Sequence, residues 1–254
     1  MKVAIIYYST YGHITTLAEA IKAGVEKSGK ASQVDIFQVP ETLSTEVLQL
    51  LHAPPKAKYP VATLDTLTTY DAFVFGYPTR FGTLPAQFVD FLGTTGGLWA
   101  SGALYGKPVS LFTSVSSPGG AQETPFRNFF SYIAHHGLVY IPLGYAKAFA
   151  ELTDMSEVHG GTPYGAVTFA GADGSRLPSD LEKKIANIQG ESFAESATRF
   201  VASSEKPAAK SDKKTETKKA ATPAPATEKR AEQSKAAAAP QKEDSGCGVK
   251  CVIV

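Results

Sequence analysis

The sequence has almost no cysteine, and most of its last fifty residues lack large apolar side chains. Of its 254 residues only two are cysteine, Cys247 and Cys251, both close to the C-terminus. The rest of the chain therefore has neither a disulfide framework nor a thiolate metal site, which suits a reducing compartment. Between Ala202 and Gly246 there is no aromatic residue and no Leu, Ile, Val or Met. Such a stretch cannot bury enough apolar surface to offset the entropy of ordering it, which excludes a second globular domain. The 11 tyrosines, 14 phenylalanines and single tryptophan all lie at or before Phe200. No run of about eighteen apolar residues is present to span a bilayer. Met1-Lys2 leads into a short apolar stretch without a small-residue cleavage site, so no signal peptide is expected there. A basic face is also missing. The formal charge of +1 divides into +4 over residues 201–254 and −3 over the rest, a poor basis for nucleic-acid binding.

What is present reads as alternating strands and helices. Residues 3–8 form a near-continuous apolar run, expected to be a buried strand. Leu17, Ala20, Ile21, Gly24 and Val25 repeat at helical spacing up to Ser28-Gly29. Further strands are expected at 34–39, 71–76, 109–112 and 138–141. Helices are expected at 45–51, 85–92, 124–136 and 178–201. A Gly-rich segment spans 160–174, with one more strand piece at 167–170. This alternation implies parallel crossovers and an α/β, doubly wound five-stranded sheet with helices on both faces. The domain is expected over 1–201, followed by a disordered Lys/Ala/Pro-rich linker over 202–246 and a C-terminal motif over 247–254.

In such sheets ligands sit beyond the carboxyl ends of the strands, so the loops there carry the chemistry. Ser9, Thr10, Tyr11, Gly12, His13 and Ile14 follow the first strand and run into a helix. Hydroxyls, a glycine and a helix N-terminus make a phosphate cradle. It has no lysine and is no Walker loop, which suits a monophosphate held by hydrogen bonds. The same residues also read as an ordinary Ser/Thr-capped helix, and this loop alone does not separate the two. Pro78, Thr79, Arg80, Phe81 and Gly82 follow the third strand, presenting a hydroxyl, a guanidinium and an aromatic ring. Ser114, Val115, Ser116, Ser117, Pro118 and Gly119 follow the fourth, with side chains small enough to lie against a flat ring. Routine turn chemistry explains each loop singly but not their shared position.

On these residues the sequence resembles the flavodoxin-like fold, with strand order 2-1-3-4-5. It is more closely similar to the WrbA-type NAD(P)H:quinone oxidoreductases and their fungal members. The carrying stretches are Tyr7-Tyr8-Ser9-Thr10-Tyr11-Gly12-His13-Ile14, Phe75-Gly76-Tyr77-Pro78-Thr79-Arg80-Phe81-Gly82, and the run from Thr95-Gly96-Gly97-Leu98-Trp99 to Lys107. Ala134-His135-His136-Gly137, Gly160-Gly161-Thr162-Pro163-Tyr164-Gly165 and Ala170-Gly171-Ala172-Asp173-Gly174-Ser175-Arg176 match as well. The resemblance implies FMN as cofactor, NADH or NADPH as donor and a quinone as acceptor of two electrons. By it, the loop from Ser9 to Ile14 holds the phosphate, Thr79, Arg80 and Phe81 line the flavin, and the 114–119 loop covers the ring. His135 is the implied catalytic donor near the pyrimidine end. Trp99 and Tyr11 border the substrate. Tetramers with shared sites are implied too, so a homodimer or homotetramer is expected, with the apolar 93–106 segment at an interface. One departure stands out: Pro118 replaces a residue with an N–H in the ring-covering loop, removing a donor.

The simpler readings are a hydrogen-bonded histidine in a helix C-terminal turn for His135 and a core residue for Trp99. The tail ends Cys247-Gly248-Val249-Lys250-Cys251-Val252-Ile253-Val254, a C-a-a-X pattern resembling Ras-type termini. One lipid anchors weakly, so Cys247 is the expected second acylation site beside a prenylated Cys251. Chance placement of two cysteines is the other reading. The anchor would hold the domain on the cytosolic face of a membrane, the plasma membrane being expected, on a tether reaching roughly 35–40 Å. The expected role is protective two-electron quinone reduction there. A membrane-associated structural or regulatory protein with weak activity, or a single-electron carrier, are the alternatives.

Overall fold

A computed structural model describes residues 1–204. Strand β1 (Lys2–Tyr7) is buried at every position after Lys2. Its side chains alternate strictly: Val3, Ile5 and Tyr7 enter one apolar layer, Ala4 and Ile6 the other. A strand covered on both faces needs no polar residue, which explains the unbroken apolar run. Helix α1 (His13–Lys27) covers the first layer with Ile14, Leu17, Ala18, Ile21 and Val25.

Along the chain follow β2 (Gln33–Gln38), α2 (Thr45–Leu50), α3 (Leu64–Thr69), β3 (Ala72–Pro78), α4 (Ala86–Gly93) and α5 (Gly96–Ser101). Then come β4 (Pro108–Val115), α6 (Thr124–His136), β5 (Val139–Tyr140), α7 (Phe149–Leu152), β6 (Val167–Phe169) and α8 (Asp180–Ser204). All strand pairs are parallel, in the order β2-β1-β3-β4-β5, with β6 also on β4. This is the expected doubly wound sheet. Phe73, Phe75, Tyr77, Phe88, Phe126 and Phe129 build the second layer, beneath α4 and α6.

The fifth sheet position is divided. β5 pairs with Pro108 and Val109 at one end of β4, and β6 with Thr113–Val115 at the other. Pro142 has no N–H and ends the first half. The chain returns at Gly165, where a Cβ would meet the Leu111 carbonyl oxygen at 2.0 Å. The gap between the halves is closed by a side chain from α8. The buried Gln189 amide donates to Ser110 Oγ and Leu111 O, both at 2.8 Å, and accepts from Ala166 N at 2.7 Å. One glutamine thus supplies hydrogen bonds that a continuous strand would have made.

Helices α1 and α8 cross at two glycines. A Cβ on Gly24 would lie 1.9 Å from Asn187 O, and one on Gly190 2.1 Å from Ile21 O. Three short helices were not foreseen. α3 forms behind a Thr63/Thr66 capping box. α5 forms although Gly96-Gly97 disfavour a helix; it is closed by Gly102 in the left-handed conformation and anchored by Leu98 on the core. α7 lies within the excursion of the fifth strand. α8 begins at Asp180 and runs to Ser204, past the expected end at Val201. The tail motif with Cys247 and Cys251 lies outside the described residues, as does all of the 202–246 linker beyond Ser204.

Candidate cofactor site

The parallel register brings three loops to one edge of the sheet. β1 delivers Tyr8, whose N–H donates to Gly76 O at 2.9 Å, and the chain then turns into α1. Gly12 makes the turn with φ +94°, a conformation L side chains rarely adopt. Its N–H donates to Ser9 Oγ at 3.0 Å. No side chain caps α1, so its first N–H groups and the positive end of its dipole face outward. Ser9, Thr10 and His13 are buried, whereas Tyr11 is partly exposed with its hydroxyl donating to Leu51 O at 3.0 Å. The His13 ring donates from Nε2 to the Arg176 carbonyl at 2.9 Å. Ile14 is a core residue, so only its backbone faces the cradle.

The second wall follows β3. Pro78 is buried at the strand end, and Thr79 N–H donates to Ser114 O at 2.9 Å. Arg80 and Thr83 exchange backbone hydrogen bonds, closing a tight turn. At its tip Phe81 has φ +51° and is 98% exposed, an unusual state for an aromatic residue. Gly82 also has positive φ, and its carbonyl accepts from Asn128 Nδ2. Arg80 reaches across to the first loop, with Nη2 3.3 Å from Thr10 Oγ1 and Nη1 3.1 Å from Thr79 O. The third wall follows β4: Ser114 and Val115 are buried, while Ser116, Ser117, Pro118 and Gly119 are exposed. Gly171 N–H donates to Ser116 O and Ala170 N–H to Val115 O, tying this loop to the segment after β6.

Two groups in this region escaped the sequence reading. Lys56 joins the first loop from 47 positions along the chain, its Nζ 2.8 Å from Ser9 O and 2.7 Å from Glu41 Oε2. Tyr8 OH also donates to Glu41. Burial pushes the Tyr8 hydroxyl up to about 12. Burial alone would raise the Glu41 carboxyl too, but Lys56, the Leu43 amide and Tyr8 outweigh it and hold it below the usual range. The rigid Pro54-Pro55 pair ahead of Lys56 was the available signal. The second group is Arg176 with Glu182, which hold the loop whose carbonyl meets His13.

His135 and Trp99 are not brought to this edge within one chain. α6 leaves the carboxyl end of β4 and runs back beside the sheet, so His135 ends beside Gly137, whose carbonyl accepts from Gly106 N–H just before β4 begins. The length of β4, roughly 25 Å at a strand's rise, separates the two ends. His135 and Trp99 line one end of a groove of about 540 Å³ that runs past Leu92 and Tyr132 to Thr83 and Asn128, beside the Arg80–Thr83 turn. His135 is exposed and its neighbour His136 is buried, its Nε2 sharing a hydrogen bond with Thr95 Oγ1 at 3.1 Å. Burial, helped by the neighbouring His135, pushes the His136 imidazole down.

The cofactor-loop residues fit a flavin mononucleotide. The α1 N-terminus has donors without a cap, which suits a phosphate. The Thr79 hydroxyl is buried without a hydrogen-bond partner in the loop beside it. An orphaned polar atom calls for a ligand group at that wall.

The fold and this edge define a flavodoxin-like, flavin-nucleotide-binding protein. Residues 1–151 match the family model described as NADPH-dependent FMN reductase, and the chain belongs to that family. It is 62% identical over 207 residues to the NAD(P)H quinone oxidoreductase YCP4 of Candida albicans, covering 81% of this chain and 71% of that one. It is 51% identical over 189 residues to the Quinone-oxidoreductase QR2 of Triphysaria versicolor, covering 74% and 91%. Among solved structures, a flavodoxin, WrbA-like protein from Agrobacterium tumefaciens superposes with TM-score 0.54 at 18% identity. The match covers 78% of this chain and 98% of that one, and it shows the shared fold.

Proposed function

We propose that the protein is an FMN-dependent NAD(P)H:quinone oxidoreductase acting by two-electron transfer. The observation that carries this is the Arg80–Thr10 contact. It joins an uncapped helix N-terminus to a loop with an unpartnered threonine hydroxyl, a polar surface with donors for both a phosphate and a ring. Names of relatives at 51–62% identity support the same reaction. Bound FMN supplies the hydride-accepting and electron-donating chemistry. The α1 amides and Ser9 would bind its phosphate, and Thr79 and Arg80 would orient the ring. The Arg80 guanidinium would also supply positive charge to a flavin held there, which would favour its reduced, negatively charged form. The 116–119 turn would exclude water from one face, with Pro118 contributing shape but no donor. The test is a steady-state NADH:benzoquinone assay of FMN-loaded protein. FMN-loaded protein without turnover overturns the reading and favours a structural or regulatory role.

The distance of His135 and Trp99 from the cradle supports a site completed by a second copy of the chain, within a homodimer or homotetramer. Both residues sit on an exposed, partly apolar groove that a partner would cover. Light scattering on the eluting protein tests this, and a monomer at working concentration contradicts it. We further propose that Cys251 and Cys247 carry lipids that hold the enzyme on the cytosolic face of a membrane. Lipid-soluble quinones would meet it there, and two-electron reduction would spare the cell their radical forms.

A further inference from the structure

The phosphate cradle contains no lysine of its own, yet one is delivered to it. The loop between α2 and α3 is clamped at several points. Tyr11 OH donates to Leu51 O, and the Gln38 side chain donates to Ala57 O at 2.7 Å and Tyr59 O at 3.0 Å. Pro54 and Pro55 fix the backbone between these anchors. Lys56 is therefore presented rather than left to wander. Its Nζ lies 4.5 Å above the Tyr8 ring and donates to Ser9 O and Glu41 Oε2. Those bonds use two of its three N–H groups.

Glu41 does not need the whole charge of this lysine. Its carboxylate also accepts from Tyr8 OH at 3.0 Å and from the Thr42 and Leu43 amides at 3.0 and 3.1 Å. The Lys56 side chain is 31% exposed, so it is held in place and still reachable. It lines a cleft of about 240 Å³ together with Ser9, Thr10, Gly12 and Thr16 at the α1 N-terminus and with Glu19, whose carboxylate accepts from Tyr59 OH at 2.8 Å. Arg80, the other cation nearby, is turned toward Thr79 O and Thr10 Oγ1, on the side of the β3 loop.

We propose that Lys56 is the cation of the phosphate site, its remaining N–H donating to the phosphate of FMN. It thereby adds to the preference for the phosphorylated flavin that the α1 amides and Ser9 establish. The inference rests on FMN being the cofactor. A charge-assisted hydrogen bond of this kind corresponds to roughly ten- to hundredfold in affinity.

The experiment measures flavin fluorescence quenching on full-length apoprotein, with FMN and riboflavin as separate probes, for the native chain, Lys56→Gln and Lys56→Arg. The expected result is a Kd for FMN raised roughly ten- to hundredfold in Lys56→Gln. Riboflavin binding should be unchanged and Lys56→Arg should restore most of the loss. The salt dependence of FMN binding should flatten in Lys56→Gln, because an ionic contact has gone. Equal weakening of both flavins overturns the proposal, since it makes Lys56 a scaffold of the loop. Unchanged FMN affinity overturns it too. A native apoprotein that quenches neither flavin overturns the cofactor reading itself, a result distinguishable from the others because no variant is involved.

Discussion

Arg176 Nη1 lies 2.9 Å from Oε2 of Glu182, a carboxylate with no exposed surface. The same carboxylate accepts from the Gly160, Phe169 and Ser179 amides and from the Thr168 hydroxyl. One acidic side chain at the start of α8 thus gathers three backbone segments. Through the carbonyl of Arg176 it also fixes His13 at the cradle. Glu182→Ala would leave these donors buried and unpaired, and the expected cost is about 3–5 kcal/mol, read from urea midpoints.

This carboxylate also sets an acid limit. Burial alone would raise its pKa, but Arg176, Thr168 and the Ser179 and Gly160 amides outweigh burial and hold it below the ordinary value. A depressed folded-state pKa gives stability that is complete above the unfolded value of about 4.3 and is lost as pH falls through the folded one. The stability gap between the native chain and Glu182→Gln should therefore be level from pH 7 to 5 and narrow below about 4. A gap that persists undiminished at pH 3 contradicts the assignment.

At the α1–α8 crossing, Gly190→Ala sets two effects against each other. Alanine favours a helix interior over glycine by about 1 kcal/mol. Its methyl group would sit 2.1 Å from Ile21 O, a backbone atom that can yield only if the helices part. Overpacking of this kind costs about 1–3 kcal/mol, so the net effect should be destabilising. Equal or higher stability of Gly190→Ala in urea would show that the helices separate freely.

What could be read from sequence was what is local. Residues 3–7 and 72–78 announce buried strands because each position is apolar in its own right. The three loops were legible because each directly follows such a strand. α5 was hidden because Gly96-Gly97 lowers helix propensity, and only the packing of Leu98 on the core overrides it. The divided fifth strand was hidden because Gln189, its repair, lies far along the chain from Ser110 and Leu111. Lys56 was missed for the same reason: Pro54-Pro55 marks a rigid loop ahead of it, but no spacing rule connects that loop to Ser9. His135 sits in a local motif, but which end of the sheet it reaches follows from the direction of α6.

The tail makes a separate prediction. A single lipid gives marginal membrane binding, and two give a stable anchor. Cys251→Ser should move the protein from the membrane to the soluble fraction, and Cys247→Ser should leave only the marginal, reversible binding of one lipid. Membrane association unchanged in Cys251→Ser rules out prenylation at that position.

If a neighbouring chain supplies His135, two inactive variants should repair each other. Arg80→Gln damages the cradle side of a site, and His135→Ala damages the groove side. Each homo-oligomer is expected to lose about tenfold or more in quinone turnover, since both groups stabilise developing charge. Co-refolded as a mixture, some sites would combine an intact cradle from one chain with an intact His135 from another. Random pairing gives on the order of a quarter of sites in a closed oligomer with such shared interfaces. Turnover of the mixture should then rise well above the mean of the two parents. In a site built within one chain every cradle keeps its own defect, and the mixture would show only that mean. The assay thus decides which chain's His135 serves a given flavin, independently of how tightly either variant binds FMN.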